Sequence, residues 1–283
     1  MTGLVERELF MKVKQKTVIF GIGAMGGALV KGWIFSKMIS PANITAVDVD
    51  ADKCKKMAKQ FKIKAATESS KALKGAGLIL LAVKPQQMKE LLTGAGVLFP
   101  SKALVVSIAA GVSTGQIEQN LPQGCPVVRV MPNTPALLGE GMAAVASGSR
   151  AKASHMKLVL SLFAAVGKSV QVSEDQMDMV TAISGSGPAY IFHMIEAMNE
   201  AAVKGGLEKD IAKLLVSQTV YGAARMVLET GRSPEELRVQ VTSPGGTTQA
   251  ALTMMADKGF REIIHAAIDA AARRSAELRE GNK

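Results

Sequence analysis

Two stretches carry residues whose types and spacing suit chemistry. The first, GIGAMG, places Gly21, Gly23 and Gly26 as G-x-G-x-x-G between a β-rich apolar run and a helical one. The first glycine permits a tight turn, the second lets backbone approach a pyrophosphate, and the third lets helix and strand pack closely. The helix start that follows offers free amides and a partial positive charge to phosphates, so the spacing predicts dinucleotide binding. Asp48 ends the next apolar run, 22 residues beyond Gly26. A carboxylate there accepts bonds from ribose hydroxyls, favours NAD and repels the 2′-phosphate of NADP. Lys53, Lys55 and Lys56 stand close enough to offset that repulsion, which leaves NADH against NADPH open.

The second stretch, VTSPGGTTQAAL (Val241–Leu252), builds a specific turn at a helix start from hydroxyls and bare backbone. It holds no histidine, carboxylate or lysine. One reading is an ordinary loop with Thr247 as N-cap. The other is a cradle, in which the Gly245–Thr248 amides hold a carboxylate and the hydroxyls of Thr247 and Thr248 bond a ring nitrogen.

Three further loops end strand-like runs, where doubly wound sheets bind ligands. LLAVKPQ offers Ala82, Val83, Lys84 and Pro85, with Lys84 available to a phosphate or a substrate carboxylate. VVSIAAGV offers Ile108 and Ala110, and RVMPNTPALLGEG adds Arg129 and Asn133, the latter for a nicotinamide or its ribose or as part of a plain turn. Acids are scarce. His193 reads as a packed or interface histidine, Tyr190 remains a weak alternative, and His155 and His265 read as surface or packing positions. Reduction of a carbonyl creates an alkoxide that demands proton delivery. An imine is basic enough to be protonated on binding, so hydride transfer to it needs positioning more than acid catalysis. A pocket of amides and hydroxyls therefore suits a small cyclic imino acid.

These groups need elements to position them. From Thr17, apolar runs alternate with helical segments up to about Val172, which implies βαβ units, a parallel sheet and right-handed crossovers. Beyond that the pattern is helical throughout. The expected organisation is α/β: an N-terminal extension over 1–16, a dinucleotide-binding domain with a doubly wound sheet over 17–173, and an all-helical dimerisation and substrate domain over 174–283. The extension carries no clear core role, and Met11 is an alternative start. The helices are rich in Ala, Met and Ile on more than one face, which predicts a helical homodimer.

Composition narrows the class. Aromatics are 4% and apolar residues 48% of 283, which suits helices covering both faces of a sheet. The net charge of +10 is scattered and lacks interleaved aromatics, so it predicts attraction of anionic cofactors and no nucleic-acid partner. Cys54 and Cys125 are the only cysteines and read as packed thiols, with no metal site. No apolar run reaches a membrane span and no signal pattern opens the chain, so a cytoplasmic protein is expected.

GIGAMG after a strand resembles the opening of β-hydroxyacid dehydrogenases, whose alcohol chemistry uses a lysine just beyond a Gly-x-Gly. Here Gly187 is followed by Pro188, Ala189, Tyr190 and Ile191, and no lysine comes before Lys204. With AVKPQ, SIAAGV, RVMPNTP, SGSGPAY and SPGGTT in order, the chain from Thr17 onward closely resembles the pyrroline-5-carboxylate reductases. That resemblance implies reduction of 1-pyrroline-5-carboxylate to L-proline by NAD(P)H, the last step of proline biosynthesis. It also implies intertwined homodimers that assemble further. Substrate would lie on the turn Ser243, Gly245, Gly246, Thr247, Thr248, with Lys84 nearby and Thr248 as proton donor. Cofactor would lie on Gly21, Ile22, Gly23, Ala24, Met25, Gly26, Ala82–Pro85 and Ile108–Ala110. The chain departs from the family at Ala24, where Asn or Gln is common, and at Ser69, where an adenine-side asparagine is common. A redox sensor that binds the dinucleotide without turnover is the non-enzymatic alternative, and the intact SPGGTT turn argues against it. An imine reductase of different substrate range is the closer rival.

Overall fold

The computed structural model describes residues 11–281. Its centre is an eight-stranded sheet in the order β3-β2-β1-β4-β5-β6-β7-β8. The strands are β1 Lys16–Phe20, β2 Ile44–Val47, β3 Lys64–Ala66, β4 Ala76–Leu81, β5 Leu104–Ser107, β6 Val127–Met131, β7 Gly141–Ser147 and β8 Gly167–Gln171. Helices α1 Ala24–Phe35, α2 Ala51–Phe61, α3 Ser69–Leu73, α4 Pro85–Ala95, α5 Thr114–Glu118 and α6 Ala153–Ala164 connect them. The first six strands take the Rossmann order, with the switch point between β1 and β4.

The strands read as unbroken apolar runs because both faces of the sheet are covered. Ile19, Leu78 and Leu80 point into one core with Leu29, Trp33 and Phe163. The alternating Val18, Phe20, Ile79 and Leu81 point into the other with Met88, Leu92 and Phe99. Cys54 lies in the first core and Cys125 in the second, both as free thiols. Trp33 is 1% exposed, donates its indole N–H to the Leu162 carbonyl at 2.8 Å and meets Phe163 edge to face. We expect Trp33→Ala to cost about 3 to 5 kcal/mol of folding free energy, read from urea denaturation. A loss below about 1 kcal/mol would show that this corner is not a structural centre.

The sheet is not wholly parallel. β7 runs antiparallel to β6, and β8 runs parallel to β7. The β6–β7 connection is a single short 3₁₀ turn, Thr134–Leu138, too short for a crossover helix. Val13, assigned by sequence to an extension without a core role, is 6% exposed and bridges Ile39 beside the sheet. Residues 1–10 of that extension lie outside the described residues.

The chain forms two compact units. One holds the described residues to Ser186 together with those from Ala271 onward, and the other holds Gly187–Ala270. The expected boundary after residue 173 falls inside the first unit, because Glu174 bonds Thr114 and Met177 packs on Ala144 and Ala146. That unit also contains α7 Met177–Val180 and a π-turn, Thr181–Gly185. The second unit contains α8 Gly187–Lys204, α9 Lys209–Thr230, α10 Pro234–Gln240, α11 Thr247–Asp257 and the first half of α12 Phe260–Gly281. Ala212 and Val216 are its only buried hydrophobic residues among those described, while Phe192, Leu214, Tyr221, Met254 and Ile263 are exposed. A helical unit with so little core of its own needs a partner surface.

Candidate active site

The glycine turn forms as its spacing requires. Gly21 takes φ +87°, and a Cβ there would sit 2.6 Å from the Ala82 carbonyl oxygen. A Cβ on Gly26 would collide with the Gly21 carbonyl. These two glycines are therefore demanded by the protein itself. Gly23 differs: φ is −63°, it caps α1, and nothing lies within 4 Å of a Cβ built there. Its open side is where a pyrophosphate would approach the amides of Ala24 and Met25. The space beside Gly23 and the uncapped start of α1 fit a dinucleotide phosphate.

Asp48 is more than a solvated strand end. One carboxylate oxygen accepts the Ile22 N–H at 2.9 Å and the other accepts the Asp50 N–H at 3.0 Å. The acid thereby stands against the glycine turn with its charge fixed there. Two of the three nearby lysines are paired: Lys53 with Asp50 at 3.2 Å and Lys55 with Asp52 at 3.6 Å. Backbone bonds and Lys53 hold the Asp50 carboxyl below its ordinary pKa.

Ala82, Val83 and Pro85 follow β4 beside the glycine turn, with Ala82 N–H bonded to the Phe20 carbonyl at 2.7 Å. Lys84 is exposed and is the N-cap residue of α4. Ser69, half-buried, is the first residue of α3. Ile108 and Ala110 are half-buried in the loop after β5. Asn133 is partly engaged within the protein: its side-chain oxygen accepts the Met142 N–H at 2.8 Å and its amide donates to Ser184 at 3.4 Å, which leaves one lone pair and one N–H of the amide. It braces β6 to β7 and to the π-turn.

The Ser243–Thr248 turn belongs to the second unit. Gly246, not Thr247, is the N-cap of α11, and no side chain caps the helix. Two of the four amides expected to hold a carboxylate are already used. Gly245 N–H donates to Gln249 Oε1 at 2.6 Å, and Gly246 N–H donates to the Ser243 carbonyl at 3.0 Å. This is a correction to the expected cradle: those two bonds shape the turn, with Gly245 at φ +70°, and the start of α11 from Thr247 onward is left to meet a ligand. Thr248 is half-buried and Thr247 exposed. His193 is not packed within its own chain, which leaves the interface reading of it. It is exposed and touches Glu196 at 3.2 Å, one turn along α8. Tyr190 keeps its hydroxyl buried without a hydrogen-bond partner.

Arg129, offered by sequence as a loop residue beside Asn133, instead lies buried in a polar cluster of the first unit. Arg129, 1% exposed on β6, reaches Glu174 at 3.5 Å. Burial lowers its pKa and Glu174 opposes that. Glu174 also accepts the Thr114 N–H at 2.7 Å and the Thr114 hydroxyl. Asp178 accepts the Ser275 hydroxyl at 2.8 Å and pairs with Arg279 at 3.1 Å. The signal was present in the charges alone, but the partners are far apart along the chain.

A family model described as pyrroline-5-carboxylate reductase dimerisation matches residues 174–278. Another, described as NADP oxidoreductase, coenzyme F420-dependent, matches residues 16–111. The pyrroline-5-carboxylate reductase of Methanosarcina acetivorans is 42% identical over 93% of this chain and 98% of its own length. That of Pseudomonas aeruginosa is 39% identical over 94% and 97%. Among solved structures, a pyrroline-5-carboxylate reductase from Coxiella burnetii superposes with TM-score 0.87 at 36% identity, covering 94% of this chain and 99% of that one. The Plasmodium falciparum pyrroline carboxylate reductase with NADP bound gives TM-score 0.85 at 30% identity, covering 95% and 99%.

Proposed function

The chain belongs to the pyrroline-5-carboxylate reductase family, and from that premise we propose how its own residues serve the reaction. It reduces 1-pyrroline-5-carboxylate to L-proline with NAD(P)H, the closing step of proline biosynthesis. It works as a homo-oligomer, in keeping with the dimerisation region over 174–278 and the bare apolar helices of the second unit. No described helix is long and apolar enough to cross a membrane. Association of dimers into larger assemblies, an intracellular location and the absence of a nucleic-acid partner are proposals that rest on the resemblance and on the scattered charge.

The observation that carries the site reading is the uncapped start of α11. The substrate carboxylate lies on the Thr247 and Thr248 amides, where the helix dipole and free N–H groups favour an anion. Ser243, Gly245 and Gly246 hold that backbone in shape. The Thr248 hydroxyl meets the ring nitrogen and holds the protonated C=N bond in place. NAD(P)H, when bound, would supply the hydride for the ring carbon, with the C=N electron pair passing to nitrogen. The nitrogen keeps its proton and becomes the amine of proline, so no titrating side chain need change state. Gly21 to Gly26, Ala82 to Pro85 and Ile108 to Ala110 receive the cofactor, with Lys84 an exposed charge beside it and Ser69 on the adenine side. Alternative cyclic imines are compared directly by measuring NADH and NADPH oxidation with pyrroline-5-carboxylate, piperideine-carboxylate and a β-keto acid. Turnover of the six-membered ring above the five-membered one would overturn the substrate assignment.

Cofactor choice follows from Asp48. Its charge is held against the glycine turn, and Lys53 and Lys55 are engaged with other acids. NADH should bind about 10-fold more tightly than NADPH, the scale of one like-charge contact near a protein surface. Asp48→Asn, which keeps an acceptor for Ile22, should bring the two dissociation constants together in calorimetric titration. Equal or tighter binding of NADPH to the unmodified protein would sink the role.

A further inference from the structure

The loop after β5 runs from Ile108 to Ser113 into the head of α5. Ile108 N–H bonds the Leu81 carbonyl at 3.0 Å, Ala109 N–H bonds Ser107 at 3.3 Å, and Ser113 N–H bonds Gln116 Oε1 at 2.7 Å. The last turns of α12 come against it within the same compact unit. Gly111 takes φ +68°, and a Cβ built there would meet the Leu278 side chain at 3.3 Å and Arg279 N at 3.5 Å. Gln116, at the head of α5, gives its amide N–H to the Arg279 carbonyl at 3.3 Å. Its other end caps Ser113, so one side chain joins the loop to the helix end.

The helix end is itself anchored by Asp178, which takes both Ser275 and Arg279. Beside it, Glu174 ties Thr114 at the loop exit to the buried Arg129. Two ion pairs thus stand side by side, Arg129 with Glu174 and Arg279 with Asp178.

We propose that the last turns of α12 are a positioning element for the cofactor: Leu278 and the Arg279 carbonyl hold Ile108–Ser113 in the shape that receives the dinucleotide. The inference rests on the reading that this loop lines the cofactor. A loop ordered before binding spares the complex the entropy of ordering it afterwards. Releasing it therefore weakens cofactor binding while leaving the chemical step intact once cofactor is saturating.

The test uses two variants. Gln116→Glu keeps the cap on Ser113, since Ser-x-x-Glu is itself a capping box, and replaces the donor to Arg279 with an acceptor. Arg279→Ala removes the ion pair with Asp178. Each should raise the calorimetric dissociation constant for NADH by about 3- to 10-fold, the range of coupling through packed neighbours. At saturating NADH, kcat and the KM for pyrroline-5-carboxylate should stay within about twofold. Gly23→Val, measured alongside, separates the two levels. If it abolishes NADH binding while both latch variants bind normally, the positioning role is refuted. If Gly23→Val itself binds normally, the cofactor reading beneath it fails first. An equal loss in dissociation constant, kcat and KM would show a merely structural contact and overturn the proposal. Should Arg279→Ala not fold, Gln116→Glu alone decides.

Discussion

Gly23→Val is expected to give a folded protein that no longer binds NAD(P)H. The three glycines of the turn look alike in sequence and are unlike in space. A side chain at Gly21 or Gly26 strikes backbone, so either change damages the fold itself. At Gly23 the backbone is extended with negative φ and the surroundings are open, so valine is accommodated at the cost of a poorer cap, about 1 kcal/mol. What valine obstructs is the approach of pyrophosphate to the α1 amides. We expect binding to weaken by about 100-fold or more, the scale of losing several charge-assisted bonds at once, with the thermal midpoint lowered only slightly. Calorimetry on the purified variant measures both halves of the expectation. Normal affinity would place the dinucleotide elsewhere.

Thr248→Val should lower turnover by about 10- to 100-fold, the scale of losing one hydrogen bond to a charged group that positions the imine, with NAD(P)H affinity unchanged. The structure makes this a clean substitution. Gly246 is the N-cap and neither threonine caps α11, so loss of the hydroxyl does not unseat the helix. Valine preserves the shape and the half-buried packing. Thr248→Ser, which keeps the hydroxyl, should recover most of the rate. Full turnover in Thr248→Val under saturating substrate would reduce this residue to a spacer in the turn.

Much of this arrangement is written in local pattern. Glycine spacing marks the turn after β1, and the unbroken apolar runs from Leu78 to Leu81 and from Leu104 to Val106 announce strands covered on both faces. The helical periodicity after Val172 separates the later chain from the sheet. What escapes local reading is set by distance or by brevity. β3 has three residues, Lys64–Ala66, and no alternation long enough to register. The reversal at β7 depends on how a short turn with Pro135 folds back. Asn133 reads as a loop residue in sequence, and only the position of Met142 shows that its oxygen also braces β7. Gln249 shaping the SPGGTT turn was visible at the right spacing, but its direction back to Gly245 was not. The Arg129 and Asp178 clusters join segments 45 and 97 positions apart, which no window along the chain can connect.

The two cysteines have a further bearing on how the protein behaves under stress. Removal from water raises the pKa of both Cys54 and Cys125, so each sulfur stays protonated at neutral pH. A protonated sulfur is a poor nucleophile. Alkylating agents and peroxide should therefore leave proline synthesis running at concentrations that silence thiolate-dependent dehydrogenases.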